Sequence, residues 1–131
     1  MDDHSLGLVS RVLPSAEWPR LVGLGVCAVP RPDAMRGAVL VEELGPHIVG
    51  CAVVFQTPDR DGHLDGVWVH PAFRTGRVAL RLWRRVRRLL AHYGVDRACV
   101  YPTSTRLHQW TRQTRRFRVK GLFTREMARA S

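Results

Sequence analysis

The chain has 131 residues and carries 21 lysines and arginines against 11 aspartates and glutamates, a net charge of +10. That length supports one domain with a single core, and 45% hydrophobic with 24% charged residues is ordinary for a soluble globular protein. No apolar run reaches the roughly 18 residues a membrane span needs, which excludes a helical membrane protein.

Residues 5–13 read as a first strand. Ser15 is placed to cap a short helix over 16–24, with Pro19 in its first turn. Pro30, Arg31, Pro32 and Asp33 form a loop. Residues 37–44 and 47–56 read as an antiparallel hairpin around Gly45 and Pro46. Residues 58–62 form a second turn with Asp61 and Gly62 at its tip. A strand over 62–70 stops at Pro71. The basic segment Arg74, Thr75, Gly76, Arg77, Val78 and Ala79 follows, and it opens a helix running from about Gly76 to Tyr93. Gly94 is a suitable residue to end that helix. Residues 95–101 form another strand, 103–114 a helix capped by Thr103 or Ser104, and 117–127 one or two final strands around Gly121. The order is that of a mixed α/β single domain spanning 1–131.

The long helix is strongly amphipathic. At about 100° per residue, Val78, Ala79, Leu82, Trp83, Val86, Leu89, Leu90 and Tyr93 fall on one half. Arg77, Arg81, Arg84, Arg85, Arg87 and Arg88 fall on the other, so the apolar half packs on a sheet and the arginines are expected to face out. Strand, basic turn and helix start in that order make an anion site. The first backbone N–H groups of a helix lack internal partners and its dipole favours negative charge. The expected ligand therefore bears phosphate.

Cys27, Cys51 and Cys99 sit in apolar surroundings without metal-ligand or CxxC spacing. They read as reduced, buried thiols in a cytosolic-type compartment. The acidic start, Met1, Asp2, Asp3 and His4, argues against a signal peptide. No zinc pattern, nucleophile elbow, P-loop or H-E-x-x-H motif occurs, and no metal is expected. The positive field favours polyanions, nucleic acid or an acidic protein surface. Only one basic residue is lysine, Lys120, a bias that GC-rich coding also produces.

Val67, Trp68, Val69, His70, Pro71, Ala72, Phe73 and Arg74, with the basic turn and helix that follow, resemble the central motif of the GNAT superfamily of acyl-CoA-dependent N-acetyltransferases. That motif is a strand ending V-x-P-x-x-R, then R-x-x-G-x-G/A leading into a helix. Residues 103–114 are similar to the family's next motif, and the resemblance covers about 37–127, leaving a short, divergent N-terminal part over 1–36. It implies a mixed, mostly antiparallel twisted sheet with flanking helices. It also implies acetyl-CoA as cosubstrate and transfer of its acetyl group to an amine. Carried over by position, the backbone of Val67 and Val69 pairs with the pantetheine arm. Arg74, Thr75, Gly76, Arg77, Val78 and Ala79 cradle the pyrophosphate.

The chain departs from the pattern at two functional positions. Arg77 replaces the central glycine, and Trp110 stands where many members have the tyrosine that protonates the leaving thiolate. Indole N–H is not such an acid. Tyr101, at the end of the following strand, is the candidate substitute. His63 and Asp65 stand where the family often has acidic residues and are the candidate general bases. Strict alternation along the strand places both on the same face as Val67 and Val69. The second motif also resembles GNAT-like proteins carried in tailed-phage particles, which implies an alternative. In that reading the protein is a catalytically inactive binding or assembly component, located in a virion rather than the cytoplasm.

Overall fold

The structure, a computed structural model, describes residues 7–24, 33–73, 77–95, 98–100 and 117–119, with residues 99–100 and 117–119 described as backbone alone. Its strands are β1 (Leu8–Val12), β2 (Arg36–Leu44), β3 (His47–Gln56), β4 (Gly62–Val69), β5 (Ala98–Val100) and β6 (Phe117–Val119). They form one sheet in the order β1-β2-β3-β4-β5-β6. The pairs from β1 to β4 are antiparallel, and β5 and β6 join in parallel. Helices α1 (Pro19–Val22) and α2 (Arg77–His92) accompany it. The mixed, mostly antiparallel sheet with flanking helices is the architecture expected from the sequence.

The β-branched runs of β2 and β3 make the centre of the sheet, because alternate residues there are apolar on both faces. One face meets α2: Leu40, Val49, Ala52, Val54 and Leu64 pack with Val78, Leu82, Val86 and Leu90. The other meets the α1 side: Val39, Val41, Ile48, Cys51, Val53 and Phe55 pack with Leu13 and Leu21. The central hairpin turns at Gly45, whose φ of 57° favours glycine. Gly50 lets α2 lie close to β3. A Cβ there would stand 2.8 Å from both Leu82 Cδ1 and Val78 Cγ1.

Three local expectations are corrected. Ser15 does not cap a helix through its side chain. It begins a single 3-10 turn, Ser15–Glu17, and α1 starts at Pro19, whose fixed φ and missing N–H suit a first helical position. The β3–β4 turn is tipped by Arg60, at φ 69°, and not by Asp61 and Gly62. Thr57 N–H bonds Asp61 O at 3.1 Å, so Gly62 is already in β4, opposite Gln56.

The third correction concerns the arginines of α2, which do not all face out. Arg81 and Arg85 fold back onto the sheet to meet Glu42 of β2, at 3.2 and 3.4 Å. Glu42 is fully buried and also accepts from Ser10 Oγ of β1. Helical angle alone misses this because a long guanidinium stem reaches sideways over its own helix edge.

Candidate active site: the bulge of β4 and the start of α2

β4 does not alternate evenly. Trp68 lies opposite Cys51 and Asp65 opposite Val53, so two residues, Gly66 and Val67, stand against the single Ala52. This is a β-bulge, and Gly66 adopts φ 59°, the left-handed conformation such bulges place on glycine. Two side chains hold it. Asp65 Oδ1 accepts the Gly66 N–H at 2.7 Å. Cys51 Sγ donates weakly to Gly66 O at 3.4 Å. Burial pushes the Cys51 thiol up to about 12, so it stays protonated and unreactive at neutral pH.

The bulge overturns the expectation that His63, Asp65, Val67 and Val69 share a face. One extra residue shifts the alternation by one. Leu64, Val67 and Val69 pack toward α2, while Trp68 packs toward the α1 side. Asp65 and His63 oppose Val53 and Phe55 of that second core, and so face away from Val67 and Val69.

The backbone follows its own alternation. His70 N–H donates back to Val49 O of β3 at 2.8 Å. Val69, one residue earlier, therefore turns its own N–H and C=O to the opposite edge, where β5 lies. β5 pairs with β4 only at Gly62, His63 and Leu64.

After Pro71–Phe73, a single 3-10 turn, the chain reaches α2. Val78 and Leu82 of its first turns sit over Gly50, which pairs with Val69. The α2 start is thereby fixed at the end of β4. Of the six residues expected to cradle phosphate, Arg77, Val78 and Ala79 form that first turn, with Arg77 exposed and Val78 buried. Arg74, Thr75 and Gly76 lie outside the described residues, as do Tyr101 and Trp110.

His63 is 6% exposed and stacks on Phe55, ring centroids 4.8 Å apart and planes at 8°. Its Nε2 lies 3.3 Å from Thr57 Oγ1. That hydroxyl also donates to Asp59 Oδ1. The Thr57 bond, with backbone N–H groups, holds the Asp59 carboxyl below its ordinary value, so at neutral pH it accepts only. Thr57 then has no proton to offer His63 and must accept from Nε2–H. With Nε2 as the donor, the acceptor nitrogen of the ring is Nδ1, and that atom is buried. Sequence reasoning missed Thr57 and Asp59, which read only as turn residues.

A concavity of about 460 Å³ opens on the β3 side of the β4 end, lined by Arg20, Leu24, Leu44, Pro46, His47, Ile48, Val49, His70 and Phe73. Arg20 within it is committed to Glu17, Glu43 and Pro46 O. Among the described residues there is no cluster of ligands for a metal ion and no helix long and apolar enough to cross a membrane.

A mixed sheet whose fourth strand bulges and runs into the start of a long helix defines a recognisable class of α/β protein. The chain belongs to the acetyltransferase (GNAT) family, whose model matches residues 17–113. Among solved structures it is similar to the crystal structure of a Trypanosoma brucei acetyltransferase. The TM-score is 0.63 at 18% identity, over 90% of this chain and 97% of the other, a likeness of fold. No curated protein matches it in sequence.

Proposed function

We propose that this chain is an N-acetyltransferase that binds acetyl-CoA along the β5-side edge of β4 and passes the acetyl group to an amine. The observation that carries this reading is the Gly66 bulge in β4, the strand that precedes the 3-10 turn and α2. In this reading the backbone of Val67 and Val69 pairs with the amide-bearing pantetheine arm. The start of α2, with Arg74, Thr75, Gly76, Arg77, Val78 and Ala79, suits the pyrophosphate, because a helix N-terminus favours anions. Arg77 is exposed at that turn and adds a charge-assisted contact in place of the close backbone approach a glycine allows.

Acetyl-CoA supplies an activated thioester, so the protein's tasks are to position the amine and to take up its proton. Positioning alone is worth about 7–11 kcal/mol of barrier. His63 is the proposed base through Nδ1, the ring nitrogen that Thr57 does not engage and that is buried in this structure. Asp65 supports the bulge that sets the backbone. Tyr101 remains the proposed proton donor to the departing thiolate.

Trp110 and Arg77 favour a second reading, in which the fold binds a partner without catalysis, as in the phage-like alternative. Calorimetric titration with acetyl-CoA at about 0.15 M salt, well above the range where weak surface attraction dominates, separates the two. Free CoA and ATP serve as controls, with thiol release over a panel of amines as the second readout. Micromolar binding that prefers acetyl-CoA, with thiol release, supports the transferase. Binding no better than ATP overturns it.

A further inference from the structure

The arginines packed around the β1–β2–α2 face differ in their partners. Arg11, Arg20, Arg81 and Arg85 each meet a glutamate, and among them they engage Glu17, Glu42 and Glu43. Arg36 is held by Gln56 and the Tyr93 ring. Arg84, Arg87 and Arg88 have no acidic partner among the described residues, and all three are exposed on the outer face of α2. The helix itself contains no aspartate or glutamate.

A merely solvated helix face mixes signs, because like charges at spacings of three and four repel and weaken the helix. Here Arg84 with Arg87, Arg84 with Arg88, and Arg81 with Arg84 repeat that repulsion. The outer face is thus built against its own stability, and an anion laid along it relieves the repulsion.

We infer that the outer face of α2, through Arg84, Arg87 and Arg88, docks the phosphate backbone of duplex nucleic acid. Three features favour this partner over others. Side chains three and four apart on a helix lie about 5–6 Å from one another, and a duplex offers about one charge per 1.7 Å of its axis, so all three arginines meet phosphates together. The ridge carries no exposed Phe, Tyr or Trp on which unpaired bases would stack, since Trp83 packs against the core. Its one exposed large apolar residue is Leu80, too little for the apolar centre of a protein interface. Phosphate also matches the guanidinium fork. This inference does not depend on the acetyltransferase reading.

The test is fluorescence anisotropy of a labelled random-sequence 20-base-pair DNA duplex, titrated with the full chain at several salt concentrations. Three phosphate contacts contribute about −2.7 to the log–log salt slope, or about a 40-fold loss of affinity for a fourfold rise in salt. The triple variant R84Q/R87Q/R88Q is expected to lose that part of the slope while its circular-dichroism melting holds. R106Q/R112Q/R115Q removes the same charge from another stretch of the sequence and is expected to keep it. A loss no greater in the ridge variant than in this control assigns the effect to overall charge and overturns the proposal. So does wild-type protein that shows no salt-dependent binding, or that binds polyglutamate as well as the duplex.

Discussion

Glu42 and Arg85 face each other across the β2–α2 interface, the carboxylate fully buried and one guanidinium nitrogen 3.4 Å from it. The same guanidinium donates to Val41 O at 2.7 Å and to Arg11 O at 2.9 Å. Arg81 and Ser10 complete the set of donors around Glu42. One helix and two strands are thus tied at a single carboxylate. Burial also lowers the Arg85 pKa, so removing Glu42 would leave a half-buried cation uncompensated.

Replacing Glu42 should therefore cost more than replacing either arginine. Glu42→Ala is expected to lower unfolding stability by about 3 kcal/mol, the low end for a broken buried pair because the arginines retain some water. Arg81→Ala, the more exposed arm, should cost about 1 kcal/mol or less. Urea unfolding at constant m-value measures both. Equal losses would mean that the carboxylate is not the hub.

Gly66 should be the most sensitive glycine for function. A side chain at φ 59° is strained by about 1–2 kcal/mol. Gly66→Val relieves that strain by flattening the bulge, which returns β4 to strict alternation and moves Val67 and Val69 out of the proposed pairing. Acetyl-CoA affinity should fall by at least tenfold, while stability falls only modestly. Paired calorimetry and thermal melting decide it. Unchanged affinity would separate the bulge from the cofactor edge.

Gly50 makes a contrasting case. Its substitution by alanine brings a Cβ to 2.8 Å from Leu82 and Val78. The stiff β-branched Val78 cannot turn away as easily as Leu82 can, so α2 must lift. The expected loss is about 1–3 kcal/mol, as for an overpacked core. Because the lifted end is the start of α2, the melting temperature and acetyl-CoA affinity should drop together. A melting change alone would place the phosphates elsewhere.

Cys51 should resist alkylation in the folded protein and react on unfolding. Its thiol titrates at about 12 against an ordinary 9.0. A raised folded pKa means that the stability it contributes is whole below pH 9 and drains away as pH climbs toward 12. Tyr93, raised by its burial, acts in the same direction. Iodoacetamide labelling followed by peptide mass mapping distinguishes Cys51 from Cys27 and Cys99. Labelling at neutral pH without denaturant would show that the bulge opens.

The sequence made the strand order, the hairpin and the long helix legible because each carries its own signal: β-branched runs, turn glycines and apolar spacing on a helix. The bulge was not legible. Asp65, Gly66 and Val67 read as continuous strand, and only the register against Cys51 and Val53 exposes the extra residue. The faces assigned to His63 and Asp65 failed for that one reason. Arg81 and Arg85 failed for another. Helical angle places a Cα, but the end of a long side chain goes where a buried carboxylate draws it, and Glu42 lies 39 residues from Arg81 along the chain.

The chain of Asp59, Thr57 and His63 leads to a prediction about proton transfer. With His63 as base, His63→Gln should lower kcat by about 100-fold or more, the usual yield of a placed base. Thr57→Val acts differently. It keeps the ring but removes the hydroxyl that fixes Nε2 as the donor, so part of the histidine should adopt the wrong tautomer. The expected result is a fall in kcat of about tenfold, in line with loss of an orienting partner, with KM kept. Asp59→Asn should move kcat in the same direction by less, because Thr57 would still accept from Nε2–H. Steady-state thiol release across pH for the three variants tests the order. If Thr57→Val and His63→Gln lose kcat equally, His63 acts only as packing against Phe55. If His63→Gln keeps kcat, the base is Asp65 or lies outside β4.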